Sequence, residues 1–356
     1  MLKDHLKIAR RSAGKNNLAT ASFILRLLVC ALAPAPAISL NAQEKVRIFI
    51  FFDRDRERIQ DALFLNIKNI VGAQLKYTWR ELEPEPDKYD FAALRGDLEY
   101  LNRHDKRLFV QLQEVSFDTT IINVPDYILN DPRYHGGVNL QYEFANDEES
   151  IFTPAGWVAR RWDLAVAERF HKLLRQLGKE FDGKIEGINL PESSVDFGEK
   201  GNLHPPGFTF ESYKNAVMAN VRALKEAFPK SVTIQYVNFM PGEFLPWTDK
   251  SYLREVFACA QKIGVGVGGP DLLVYKKSQM NNSYGFIKEC SGIVPTGVAV
   301  QDGNYEHVNP QTGKRVTVAE IHEFGKNYLG LRYIFWCTQE PYYSKDVIAF
   351  LKNFEN

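Results

Sequence analysis

Ile185-Glu186-Gly187-Ile188-Asn189-Leu190-Pro191-Glu192 is the stretch whose reading decides the fold. It is a short apolar run that comes just after a long amphipathic helix pattern and just before a loop. A run this apolar suits a strand of a parallel sheet covered on both faces. Glu192 then stands at the C-terminal tip of that strand. A lone glutamate in such a place is ordinarily an N-cap or half of a surface ion pair. The other role is a general acid, if its surroundings raise its pKa. The rest of the chain decides between them.

Working outward, similar runs bounded by turn signals recur at 46–52, 71–78, 107–113, 232–238, 264–269, 295–301 and 331–337. Helix-period stretches separate them, including 91–103, 157–181, 210–228, 252–263, 316–328 and 345–354. Eight strands alternating with helices predict an α/β fold, a closed (β/α)8 TIM barrel, whose chemistry sits at the C-terminal strand tips. An open doubly wound sheet could be written with the same elements, but it needs a glycine-rich phosphate turn. Gly264-Val265-Gly266-Val267-Gly268-Gly269 looks like one until Pro270-Asp271 follows where a helix should start. We read it as a barrel strand with little side-chain bulk. The segment 114–154 is long for a connection and carries Tyr127, Tyr134, Tyr142, Phe144 and Phe152; loops of that length are functional or disordered, and the aromatics favour a substrate-facing lid.

The first 42 residues differ from the remainder. A basic region (Lys3, Lys7, Arg10, Arg11, Lys15) precedes an apolar stretch over 21–32 and the small-residue run Ala33-Pro34-Ala35-Pro36-Ala37. This is the pattern of a secretory signal peptide, with cleavage after Ala37 or Ala42, a single barrel over 43–356, and a periplasmic or secreted protein. The apolar stretch is too short for a membrane span. Val29 before Cys30 departs from a lipobox and argues against a lipid anchor there. Without the leader, 38 of the 44 basic and 43 of the 44 acidic residues remain, so no basic surface for nucleic acid is implied. Cys259, Cys290 and Cys337 are too scattered for a metal knuckle; Cys259 and Cys290 could pair, or all could be buried thiols. His135, His204, His307 and His322 are isolated, and neither metal nor cofactor is expected.

Trp79-Arg80-Glu81-Leu82-Glu83-Pro84, followed by Lys88-Tyr89-Asp90-Phe91, resembles the early segment of clan-A glycoside hydrolases, the cellulase and β-galactosidase-like superfamily. The resemblance extends over about residues 46–352, although its sharp motifs are few. It implies an acid/base glutamate after the fourth strand, which Glu192 matches with Asn189 close by. It also implies a tryptophan on the eighth strand beneath the sugar, which Trp336 matches. The clan's nucleophile is a glutamate ending the seventh strand, and here that position holds Gln301. Gln lacks the charge that an oxocarbenium-like transition state demands, so the second carboxylate falls to Asp302, to Glu340, or thirdly to Asp271.

Other strand-end residues would line the same cleft: Trp79 and Arg80, Gln113 and Glu114, Tyr236 and Asn238, and Tyr275. Asn and Gln side chains there would bind sugar hydroxyls, whereas Glu83 would tie down the start of a helix. Three functions follow. The first is a secreted glycoside hydrolase acting on a β-linked oligo- or polysaccharide. The second is a non-catalytic carbohydrate-binding barrel that has lost its nucleophile. The third is a lyase or aldolase, which lacks a metal cluster and a plain Schiff-base lysine; Lys76 reads as a cleft residue.

Overall fold

The computed structural model describes residues 45–146 and 148–353. The leader, its cleavage positions and Cys30 lie outside the described residues. Strands β1 (Arg47–Asp53), β2 (Ile70–Thr78) and β3 (Arg107–Gln113) open the barrel, and β4 (Val115–Ser116), β5 (Val138–Phe144) and β6 (Phe152–Ala159) form a separate antiparallel sheet. The barrel continues with β7 (Gly187–Leu190), β8 (Val232–Tyr236), β9 (Gly266–Gly269) and β10 (Thr296–Val300). A two-stranded pair follows, β11 (Val308–Asn309) with β12 (Lys314–Arg315), and β13 (Tyr333–Cys337) ends the set. Eight strands close in the order β1-β13-β10-β9-β8-β7-β3-β2, and every pairing among them is parallel. This is a (β/α)8 TIM barrel.

Side-chain size explains how it closes. Phe49 on β1, Phe109 on β3, and Tyr333 and Phe335 on β13 meet in the barrel interior, with Phe109 and Phe335 ring centroids 4.9 Å apart. Opposite them stand glycines. A Cβ on Gly187 would sit 2.7 Å from the Phe109 ring, and one on Gly297 would sit 2.9 Å from Ile234 Cδ1 and 3.1 Å from the Phe335 ring. The aromatics thus occupy volume that the glycine-rich strands leave free, at native packing density. On β9 the constraint is backbone: a Cβ on Gly266 would sit 2.4 Å from the Pro295 carbonyl oxygen, and one on Gly268 1.6 Å from that of Gly297. Above the aromatic layer the interior turns polar: Gln74 Nε2 donates to Asn189 Oδ1 at 2.9 Å and to the Tyr236 hydroxyl at 3.1 Å.

Glu186 shows the contrast between the two ends of a strand. At the opposite end of the fourth strand's approach from Glu192, it accepts from Arg47 at 2.9 Å and from the Tyr333 hydroxyl at 2.8 Å. Carboxylates at that lower end serve stability.

Three expectations are corrected in part. The segment 114–154 is not a plain loop: its Val115–Asn123 part lines the cleft at the strand tips, and residues from it and just beyond pair as the β4-β6-β5 sheet, with Trp157 opposite Leu140 and Ser116. The predicted helix 157–181 therefore starts only at Leu164, where the Asp163 side chain accepts from the Ala165 and Val166 amides. The predicted helix 316–328 is an α-helix over Val318–Glu323 that widens to one π turn over Phe324–Tyr328. Cys259, Cys290 and Cys337 are free thiols. Among the described residues no helix is long and apolar enough to cross a membrane.

Candidate active site

Pro191-Glu192-Ser193 leaves the tip of β7 in a turn whose backbone is tied on every side. The Pro191 carbonyl accepts from Gln235 Nε2 at 2.6 Å, the Glu192 carbonyl from Arg161 Nη1 at 3.1 Å, and the Ser193 carbonyl from the Tyr213 hydroxyl at 2.9 Å. The Ser193 amide donates to the Tyr236 carbonyl at 3.0 Å, and its hydroxyl to the Phe239 carbonyl at 2.7 Å. Arg161 is itself fixed by a buried two-pronged pair with Glu114, at 2.6 and 3.1 Å. A bidentate Arg–carboxylate pair with satisfied hydrogen bonds holds geometry well. The Glu192 side chain is therefore presented from a rigid backbone.

Its carboxyl caps no helix and forms no ion pair; its hydrogen-bond donor is the Asn238 side-chain amide. Asn238 Oδ1 accepts from the Ser194 amide at 3.2 Å, which turns its NH2 toward Glu192. Burial raises the Glu192 carboxyl most, the Asn238 donor pulls it down, the charge of Asp271 raises it and that of Arg161 lowers it. The outcome is a pKa pushed up to about 7. Asp271, one residue past Pro270 at the tip of β9, is likewise raised by burial and pulled back by Asn304 Nδ2, which donates to it at 3.0 Å. The same Asn304 accepts from the Leu272 and Gln301 amides, so it ties the ends of β9 and β10 together.

Glu192 opens onto a cleft of about 370 Å³ at the C-terminal end of the barrel. Its walls include Phe51, Asp53, Lys76, Gln111, Gln113 and Gln301, with Tyr236 and Phe117. Lys76 pairs with Asp53 across adjacent strands. Gln111 Oε1 is buried and accepts no hydrogen bond from the described residues.

Of the residues singled out in the sequence, Glu192, Asn238 and Asp271 come together, and Gln113, Tyr236 and Gln301 line the cleft beside them. Asn189 lies in the polar layer beneath, and Glu114 is the partner of Arg161. The others stand elsewhere. Trp79 is fully buried, donates to Glu83 at 2.9 Å and packs on Phe170. Arg80 binds the Ile122 carbonyl and Asp126. Tyr275 packs against Phe324 and Tyr328. Asp302 is exposed and lies against the Cys337 thiol, whose pKa is pushed to about 12, by burial first and by that carboxylate in part. Glu340, also exposed, accepts from the Ser344 amide and hydroxyl at a helix start. Trp336 turns away from the cleft. Tyr333 and Phe335 point into the barrel, so the strand's alternation puts Trp336 on the other face, stacked on Tyr305.

Sequence reasoning missed Asp53 and Gln111, and it missed Arg161. Asp53 ends a predicted strand and was open to the same strand-tip argument as Gln113. Arg161 had no local signal, because its partners Glu114 and Glu192 lie 47 and 31 residues away in the chain.

No family model and no curated protein sequence matches the chain. Among solved structures, xylanase 10B from Thermotoga petrophila RKU-1 in complex with xylobiose is similar at 12% identity and a TM-score of 0.46, with 82% of each chain covered. Native xylanase 10B from Thermotoga maritima is similar at 12% identity and a TM-score of 0.48, again with 82% of each covered.

Proposed function

We propose that this barrel hydrolyses O-glycosidic bonds in a β-linked carbohydrate, with Glu192 as the acid/base and Asp271 as the second carboxylate. The observation that carries the reading is the Glu192 carboxyl, raised to about 7 by burial first and by the charge of Asp271 in part, on the wall of a cleft at the strand tips. A glycosidase needs two carboxyl groups whose pKa values are pushed apart. Burial raises the Asp271 carboxyl above its usual value and the Asn304 donor pulls part of that back; the reading requires Asp271 to ionise while Glu192 still holds its proton. Glu192 then donates that proton to the leaving oxygen as the C–O bond breaks. The positive charge that develops on the sugar ring meets the Asp271 carboxylate; water then bonds to the anomeric carbon and gives up a proton, which restores the protonated Glu192. Asp302 and Glu340, each engaged elsewhere, stand behind Asp271 for this role.

Gln301 at the tip of β10 favours a second reading, a barrel that binds carbohydrate without cleaving it. One experiment separates the two. The parent protein is assayed for release of reducing ends from β-linked oligosaccharides beside Glu192→Gln. Under the hydrolase reading the variant loses about 10²–10⁴-fold in kcat, the range of a general acid, while folding normally. Equal turnover by both proteins removes Glu192 from the chemistry, and binding without turnover by either leaves the second reading.

A further inference from the structure

A second groove, of about 430 Å³, opens beyond the tip of β1, and Arg54 lines both it and the cleft. Its other walls include Arg56, Glu57, Gln60, Asp97 and Arg103. Several of the charges along the two walls are already matched. Arg56 pairs with Glu81 at 2.7 Å and with Asp97 at 3.2 Å, and Asp97 also accepts from the Tyr77 hydroxyl at 2.7 Å. In the cleft, Asp53 pairs with Lys76, and Asp118 accepts from the Thr120 amide and hydroxyl at 2.8 and 2.7 Å. Arg54 differs. It is exposed and, although Asp53 and Asp55 flank it in sequence, it forms no ion pair among the described residues. Its Nη2 donates to Asn123 Oδ1 at 3.0 Å. Asn123 is buried, and its Nδ2 donates to the Val115 carbonyl at 2.5 Å, which turns Oδ1 toward Arg54. One of the five N–H donors of the guanidinium thus fixes its place, and the others take no carboxylate.

Position and charge tell what binds. Because Arg54 belongs to both walls, a molecule that fills the cleft and leaves it past β1 meets this guanidinium. A neutral hydroxyl needs no more than an amide or another hydroxyl to hold it. A guanidinium set in place without a counter-ion suits an anion with paired oxygens, which it meets with two parallel N–H donors. Farther along the groove Arg103, with its guanidinium 6.0 Å from the Tyr100 ring centre, is a second arginine without an ion pair among the described residues. Of the two carboxylates on that wall, Asp97 is taken by Arg56 and Tyr77, which leaves Glu57 alone against Arg54 and Arg103. Outside the leader the chain holds 38 basic and 43 acidic residues, so this cationic excess is local and opposes the overall balance.

We propose that Arg54 receives an acidic substituent of the ligand, and that the ligand is a β-linked glycan whose sugars carry a carboxylate or a sulfate. This rests on the carbohydrate reading of the cleft and not on hydrolysis. The test uses protein expressed from the full chain, the parent and Arg54→Gln, an exposed position where the variant folds as the parent does. Calorimetry measures their binding to glucuronoxylan and hyaluronan, each beside its carboxyl-reduced form, and to carrageenan beside its desulfated form. The expected result is that the parent binds one acidic polymer about 10-fold more tightly than its uncharged form. Arg54→Gln should lose that preference and keep its affinity for the uncharged form, and added salt should narrow the parent's preference. Which pair shows the difference tells a carboxylate from a sulfate. Three outcomes overturn the proposal and leave the carbohydrate reading standing: equal affinity of the parent for both members of every pair, a preference that survives Arg54→Gln, or an equal loss by the variant on charged and uncharged forms. Binding of the parent to none of the polymers overturns both.

Discussion

Glu192 is ordinary in sequence and unusual in place. Every carbonyl of its turn is held, its carboxyl receives one amide rather than a counter-ion, and burial lifts its pKa to about 7. That shift has a consequence for stability. Between about 4.5, the ordinary value, and 7 the folded protein keeps a proton that the unfolded chain has released. The folded state then binds more protons than the unfolded one, so stability falls as pH rises through this window. Glu192→Gln has no such proton. Urea unfolding across pH 4.5–8 should show the parent losing stability relative to the variant as pH rises, with the difference levelling above pH 7; parallel curves would mean that the carboxyl is not raised.

At the scale of elements, the barrel is a match between bulky strands and bare ones. A methyl group on Gly297 of β10 would crowd Ile234 Cδ1 at 2.9 Å and Tyr333 Cβ and the Phe335 ring at 3.1 Å, so these neighbours must shift. Gly297→Ala should cost about 1–3 kcal/mol, the range for overpacking a filled core, read as a lower urea midpoint at unchanged slope. Shortening the facing ring with Phe335→Leu in the same chain should recover part of that loss, because the two side chains share one volume. A double variant whose losses simply add would show that the two positions do not compete for space.

The eight barrel strands were legible because each is a short apolar run between turn residues, and the strand limits agree with the runs within two residues at either end. The β5–β6 hairpin was not legible, since Trp157 takes its strand conformation from Leu140 and Ser116 rather than from its neighbours in sequence. Trp336 illustrates a subtler loss. Tyr333-Ile334-Phe335-Trp336-Cys337 is buried on both faces, so its hydrophobic pattern has no phase and cannot say which residues point inward.

For the whole molecule, the composition of residues 1–42 argues for a leader that is removed on export. Intact mass of the protein from a periplasmic or culture fraction should correspond to a chain beginning at Ile38 or Gln43. A full-length mass would refute export by this route. Among the described residues the eight barrel strands hydrogen-bond all the way round.

By itself the sequence determined the architecture and one candidate residue: eight parallel strands, and a glutamate at the tip of the fourth. Both are local properties, written in runs of apolar residues and in what ends them. Tertiary structure alone decided that the charge of Asp271 acts on Glu192, that Asn238 donates to its carboxyl, and that Trp336 turns outward. Those depend on which strand tips close around a common axis, and a contact between residues distant in the chain leaves no periodic trace in either segment.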